Sequence, residues 1–322
     1  MAPPYGATAY VRPVAADGLR QKVEWLTQIG RAARTPGGRS YLRRLYLFNA
    51  VGRVTPSVAV QLGDLWYFVP TNDLVGKSTF MEGGFEHTVM EAALDLLAER
   101  LGRPPVAGRT FVDVGANIGT TTIPAVRLFG ARHAIAIEPS SANCRLLRAN
   151  IAANKLDDQV TVVELALSHR AGGYTLELGP DNTGDYRIRL TDDPGEIGEA
   201  GWALEQVEAV TFDELLEARQ VSLGDIGLVW MDTQGHEAHV LDGASSLLAS
   251  DVPVVAEYWP YGLRRAGALE RLHAIVAGNY RLVLDVRATM DAGRAVELPA
   301  ADVASLAERY TGQEYTDLAL FK

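Results

Sequence analysis

Regular alternation of apolar and polar positions begins near residue 86. Met90, Leu94, Leu97 and Leu101 recur at spacings of four, three and four, one face of an α-helix, and Gly102 ends the run. Thr110–Val114 follows as a short apolar strand, then a glycine turn, then a helix from about 118 to 129 that stops at Gly130. His133–Ile137 predicts a second strand, and Cys144, Leu147 and Ile151 mark one face of the next helix. Val160–Leu165 is a third strand. Ile226–Met231 and Val252–Glu257 are apolar on both faces, as strands covered by helices in a parallel sheet are. Tyr280–Val286 and Thr316–Phe321 complete the set, joined by a connection long enough for a helix around Ala300–Ala307. A mostly parallel α/β sheet of seven strands with helices on both faces is the expectation.

Two stretches interrupt this order. Tyr174–Leu178 predicts a strand of a hairpin-like insertion whose loop is Gly179-Pro-Asp-Asn-Thr-Gly184, and Thr211 and Glu214 have capping-box spacing for a helix through about 219. Upstream, 18–29 and 39–49 predict helices split by Thr35-Pro36-Gly37-Gly38, and 57–69 a strand pair turning at Gly63-Asp64. Few apolar positions there are free for a separate core, so 1–85 is expected as a small cap on a domain spanning 86–322.

Composition changes this picture little. No stretch approaches the ~20 apolar residues of a membrane helix, no basic-then-apolar leader opens the chain, and the lone Cys144 fits a reducing compartment. A cytoplasmic protein is expected. The net charge of −10 argues against general nucleic-acid binding. Residues 1–53 are the basic exception, with Arg12, Arg20, Lys22, Arg31, Arg34, Arg39, Arg43, Arg44 and Arg53 against Asp17 and Glu24. They suit an acidic partner or, more simply, an exposed helical face, and these helices are candidates for pairing two subunits into a homodimer.

The chemistry sits in Phe111-Val-Asp-Val-Gly-Ala-Asn-Ile-Gly119, a strand running into a small-residue turn where a ligand can approach backbone. Asn117 and Thr120 replace the second and third glycines of a dinucleotide fingerprint, and no Gly-Lys-Ser/Thr closes a phosphate loop. Asp113, two residues before Gly115, suits a ligand bearing an ammonium group, as S-adenosylmethionine does. Glu138, ending the next strand, is placed to accept the hydroxyl protons of an adenosine ribose, or simply to sit near a helix N-terminus.

Residues 80–260 resemble the FkbM family of class I S-adenosylmethionine-dependent methyltransferases. The likeness rests on Gly84-Phe-Glu86, Val112–Gly119, Glu138-Pro139 with Asn143, Asn150 and Asn154, Ala166-Leu-Ser168 before Gly172-Gly173, and Asp232-Thr-Gln-Gly-His-Glu237 with Glu257. The resemblance implies the Rossmann-like class I fold. It implies that Asp113, Gly115, Asn117 and Gly119 contact the methionine part, Glu138 the ribose and Ala166 the adenine through its backbone, with Glu86, Ala116, Pro139, Asn143 and Asp232 also at the cofactor. Asn182 and Gly184 would lie near the acceptor. The implied activity is O-methylation of a hydroxyl on a secondary metabolite, sugar or glycolipid, a small-molecule or glycan acceptor. Trp230 and Thr233-Gln234 depart from the family's frequent basic residue and Val-Glu pair.

Methyl transfer from a sulfonium needs an aligned acceptor oxygen and removal of its proton. Asp232 ends the fourth sheet strand, with His236 and Glu237 on the first turn after it. His236 is the candidate base, oriented by Asp232 or Glu237, against the simpler reading of a structural histidine beside a helix-capping Glu237. A divalent metal between Asp232 and Glu257 is a second route, but no tight ligand cluster is visible and no metal is expected. Tyr258, Trp259 and Tyr261 suit an aromatic wall for the acceptor or plain packing. A cofactor-binding protein without transfer activity and a nicotinamide-dependent oxidoreductase are the competing functions. Intact Asp113, Glu138 and Asp232 oppose the first, and the glycine spacing opposes the second.

Overall fold

The computed structural model describes residues 36–82 and 85–322. The helix expected at 18–29, most of the basic segment and Gly84 lie outside the described residues. In chain order the strands are β1 (Ser57–Leu62), β2 (Leu65–Pro70), β3 (Thr110–Val114), β4 (His133–Ile137), β5 (Val160–Val163), β6 (Ala166–Leu167), β7 (Gly172–Leu178) and β8 (Arg187–Ile188). They continue with β9 (Ala203–Val210), β10 (Ile226–Met231), β11 (Val254–Tyr258), β12 (Leu282–Asp285), β13 (Glu297–Pro299) and β14 (Thr316–Phe321).

The central sheet runs β13-β12-β14-β11-β10-β3-β4-β5. Along β3, β4 and β10 every second residue joins a different core. Val112, Val114, Ile135, Ile137, Val229 and Met231 pack on one face, and Phe111, Ala134, Ala136, Leu228 and Trp230 on the other. Period-two side chains that are apolar on both faces require cover on both sides, and two hydrophobic cores supply it. The carboxyl ends of β3, β4, β10 and β11 therefore share one edge, where open α/β sheets bind ligands.

Two expectations are corrected. The sheet has eight strands rather than seven, and it is mixed: β5 to β11 pair in parallel, but β11–β14, β14–β12 and β12–β13 are antiparallel. The last strand enters between β11 and β12 and runs antiparallel to both, a fact about neighbours that hydropathy does not carry. β13 carries no apolar pattern along the chain, since both its ends are exposed. The hairpin-like insertion is in fact a second, four-stranded sheet, β6-β9-β7-β8. Its long strand β9 buries only Val207 and Ala209, too few for a visible pattern.

Upstream, a helix spans Pro36–Val51 and so begins inside the expected breaker, since proline is tolerated in a first helical turn. The hairpin β1–β2 turns at Gly63-Asp64 as expected. Asn150 and Asn154 pin it, their side-chain oxygens accepting from the backbone N–H groups of Phe68 and Trp66. Val60, Leu65, Tyr67 and Val69 share a core with the helix Phe85–Leu101 and β3. No helix among the described residues is long and apolar enough to cross a membrane.

Candidate active site

The turn after β3 is held open by backbone geometry. Gly115 has φ +90°, and a Cβ there would lie 1.8 Å from the carbonyl oxygen of Asp232. The turn thus passes directly beneath the end of β10. Its N–H and that of Ala116 both donate to the carbonyl of Ile137, 2.9 and 3.0 Å away, which ties the turn to the end of β4. Gly119 has φ +93°, and a Cβ would press on Leu147. Between them Asn117 holds a left-handed φ of 49° without being glycine, strain of the kind that collects at functional turns.

Asp113 is buried, and its Oδ2 accepts from the hydroxyls of Thr121, at 2.6 Å, and Thr122. Its Oδ1 has no partner. Burial pushes its pKa up to about 6, against the two threonine bonds and aided by the charge of Glu86. Glu86 itself, at the start of the helix Phe85–Leu101, feels Thr120, Arg287 and Asp317, and so stands between the turn and the acids beyond it.

Glu138 has three protein donors. Oε1 accepts from Ser140 N–H at 2.9 Å and Asn143 Nδ2 at 3.3 Å, and Oε2 from Asn117 N–H at 2.9 Å. One lone pair of Oε2 is left for a ligand. Burial raises its pKa to about 7 despite these bonds, with Asp113 adding to the rise. Asn143 Nδ2 also donates to the carbonyl of Thr183 at 3.2 Å, which draws the 181–185 loop over the turn. There Asn182 Oδ1 accepts from Gly184 N–H, and a Cβ on Gly184 would lie 3.4 Å from Asn117 Nδ2. Asp73, not anticipated from sequence, fastens this loop by accepting from Thr183 N–H and, at 3.0 Å, Gly76 N–H. Asn182 and Gly184 therefore stand at the turn after β3, and Pro139 follows Glu138 at its edge.

Unpartnered buried Oδ1 atoms on Asp113, Asn117 and Asn143, with glycines that leave no room for a Cβ, form a cradle for a polar ligand. Such a set fits S-adenosylmethionine, which brings an ammonium group and ribose hydroxyls.

At the ends of β10 and β11 a second group of acids gathers. Gln234 Nε2 donates to Asp232 Oδ1 at 2.7 Å and to Glu257 Oε2 at 2.9 Å, and Gln234 is itself left-handed at φ 55°. Glu237, 0% exposed, accepts through Oε1 from Thr233 N–H and Oγ1, each at 2.9 Å, and from Gly235 N–H at 3.3 Å. One oxygen from each of Asp232, Glu237 and Glu257 lies within 4.8 Å of the others, so the expectation that no tight ligand cluster exists is overturned. Burial first, then the neighbouring negative charges, raises the pKa of Asp232 and of Glu257 well above the carboxylate range. Asp317, in register opposite Glu257 on β14, and Arg287, 2.8 Å from it, complete the surroundings. No sequence signal points to either, because strand pairing alone brings them there.

His236 is turned elsewhere. It is 3% exposed, its Nε2 is 2.9 Å from Ser168 Oγ, and its ring faces His239 and Tyr174 under the second sheet. Burial, then the charges of His239 and His169, pushes its pKa well below the usual histidine value. The structure therefore does not bring His236 to Asp232 and Glu257. Ala166 is buried in β6 and paired with Ala209, so part of its backbone serves the second sheet. Tyr258 is fully buried, its hydroxyl 2.8 Å from His273 Nε2, and it lines no wall. Trp259 is buried against the guanidinium of Arg187, and Tyr261 donates to Glu199. Each of the three thus has a partner within the protein.

No curated protein sequence matches the chain. Among solved structures it is similar to a methyltransferase FkbM from Methylobacillus flagellatus KT, at 14% identity over 66% of this chain and 44% of that one, with a TM-score of 0.40. This chain thus covers less than half of that relative's length. It is also similar to an O-methyltransferase from Bacillus cereus in complex with SAH (13%, 88% and 91%, 0.41) and to M. jannaschii TYW2 in complex with AdoMet (14%, 82% and 84%, 0.40). The model of the methyltransferase FkbM domain matches residues 113–286, from the turn acid Asp113 through the acids of β10 and β11. Since that match takes in more than half of the chain, the protein belongs to the FkbM family of S-adenosylmethionine-dependent methyltransferases.

Proposed function

We propose that the chain is an O-methyltransferase acting on a hydroxyl of a small-molecule or glycan acceptor, a secondary metabolite, sugar or glycolipid, with 86–322 as its methyltransferase domain and 1–85 as a cap. The observation that carries this reading is the contact of Gly115 with the backbone of Asp232, which sets the cofactor turn against the acids of β10 and β11. S-adenosylmethionine, when bound, supplies a methyl group whose bond to sulfur breaks as the acceptor oxygen takes it, leaving a neutral thioether. Glu138 accepts one ribose hydroxyl through its remaining lone pair, and Asp113, Asn117 and Glu86 line the methionine side.

Asp232, partly exposed at the crevice, orients the acceptor hydroxyl and receives its proton, with Glu257 beside it. A carboxylate lifted by burial, and further by Glu86, Glu237 and Asp317, is a stronger base than one in water. Positioning supplies most of the acceleration, because the leaving group needs no protonation. His236 holds the turn against Ser168 instead of taking the proton.

The test uses cofactor labelled with a deuterated methyl group, incubated with the protein and fractionated metabolite and lipid extracts. Label is expected in a product that survives alkali, as a methyl ether does. Label confined to nitrogen, or to hydrolysed RNA, would remove the acceptor class.

A further inference from the structure

We propose that Asp232, Glu237 and Glu257 form a binding site for one hard divalent cation, Mg²⁺ or Mn²⁺ in character, at the acceptor end of the crevice. This deepens the O-methyltransferase reading and rests on it for its role in turnover, though not for its existence. The three carboxylates arrive from separate elements: the end of β10, the helix Glu237–Asp242 and β11. Their nearest oxygens lie within 4.8 Å of one another. Oxygens bound to one Mg²⁺ at about 2.1 Å stand at most about 4.2 Å apart, so small rotations close the set.

Glu237 supplies the independent sign. It is fully buried and its Oε1 is fixed by three donors of the Thr233–Gly235 turn, yet its Oε2 is buried with no hydrogen-bond partner. A carboxylate oxygen left bare in the interior is costly unless a cation completes it. The charge balance agrees. Glu86, Asp232, Glu237, Glu257 and Asp317 crowd together, and among the described residues Arg287 is the cation that bears on Glu257, already ion-paired with Asp317. The donors are oxygen only, which selects a hard ion over zinc or copper.

Such a cation keeps three carboxylates charged side by side and leaves positions for acceptor oxygens. A hydroxyl bound to it loses its proton more readily, and the oxygen then bonds to the methyl carbon as that carbon leaves sulfur. The carboxylate oxygens not bound to the cation remain to receive the proton. A pair of neighbouring hydroxyls on the acceptor would fill two of the open positions.

Direct binding tests the site without turnover. Protein stripped with EDTA is titrated with Mn²⁺ while the paramagnetic resonance signal of free Mn²⁺ is followed. We expect about one Mn²⁺ per chain with a Kd below about 1 mM, weakened at least about tenfold in Asp232→Asn and in Glu257→Gln. Both variants are to retain the parent's far-ultraviolet circular dichroism and a cooperative thermal unfolding transition, which shows that they fold. Glu237→Gln, in the interior, is a second variant judged only if it does the same. Absence of Mn²⁺ binding by the parent protein, or binding unchanged in Asp232→Asn and Glu257→Gln, overturns the site. Methyl transfer unaffected by EDTA overturns its role in turnover while leaving the O-methyltransferase reading intact; Mn²⁺ bound by a protein that methylates no hydroxyl supports the site and defeats that reading alone.

Discussion

Two acidic sites lie side by side at the carboxyl edge of one sheet, and they are built in opposite ways. At the end of β4, Glu138 is held by Ser140, Asn117 and Asn143, so its carboxylate is oriented before any ligand arrives. At the ends of β10 and β11, Asp232 and Glu257 share a single amide from Gln234, and Glu237 keeps a bare oxygen. The first site is preorganised by donors and needs only a polar partner of the right shape. The second is short of positive charge and gains most from a cation or a proton. One edge of the sheet thus carries one acid supplied with donors and a group of acids short of them.

The strongest way to break this comparison is to disturb the residue that joins the two halves. Gly115→Ala adds a Cβ where Asp232 O stands 1.8 Å away and forces a non-glycine residue to φ +90°. We expect a loss of several kcal/mol of stability, about 3 or more, and S-adenosylhomocysteine binding weakened roughly 100-fold. Thermal unfolding and calorimetry measure both, and an unchanged affinity would show that the halves are independent.

A sharper division comes from Asp232→Asn against Glu138→Gln. Asp232→Asn is expected to lower kcat about 10²–10⁴-fold while S-adenosylhomocysteine affinity stays within about threefold. Glu138→Gln is expected to weaken that affinity about 10–100-fold, the value of a hydrogen bond to a charged group. Similar effects of the two on affinity would erase the distinction.

Acidity separates the halves further. Glu138 has its pKa raised to about 7, chiefly by burial, and a ribose hydroxyl donates best to its ionised form. The sign follows from that: affinity for S-adenosylhomocysteine is complete above that value and declines as pH falls through it, by up to about tenfold per pH unit. Calorimetry between pH 8 and 6 should show the decline in the parent protein and a shallower one in Glu138→Gln, where Asp113, its pKa raised to about 6, is the acid left to titrate. The smallest effect is expected of His236→Ala. Loss of the contact with Ser168 costs about 1–3 kcal/mol of stability, with kcat changed less than about threefold. A loss of kcat comparable to that of Asp232→Asn would return His236 to the chemistry.

What the sequence made legible follows the range of the cause. Asp113, Gly115, Glu138 and Asp232 occur where a buried strand runs into a turn, and both the strand pattern and the turn residues are local. The capping box of Thr211 and Glu214 was legible for the same reason and stands in the structure. Arg287 and Asp317 were not legible, because β14 enters the sheet between β11 and β12 and only then faces Asp317 to Glu257. Tyr258 looked available beside a strand end, yet strand alternation turned it into the core against His273. The direction of His236 depended on Ser168, which is 68 residues away.

The amide of Asn143 carries one last consequence, which concerns the order of events in time. A single NH₂ group donates both to Glu138 and to the carbonyl of Thr183. The Glu138 carboxylate and the loop that roofs the turn are consequently coupled through one side chain. Occupation of the ribose site and settling of the roof should then proceed together, and the spent thioether should leave only after the roof lifts. Stopped-flow traces are expected to show acceptor entering after cofactor, with Asn143→Ala releasing S-adenosylhomocysteine faster than the parent protein does.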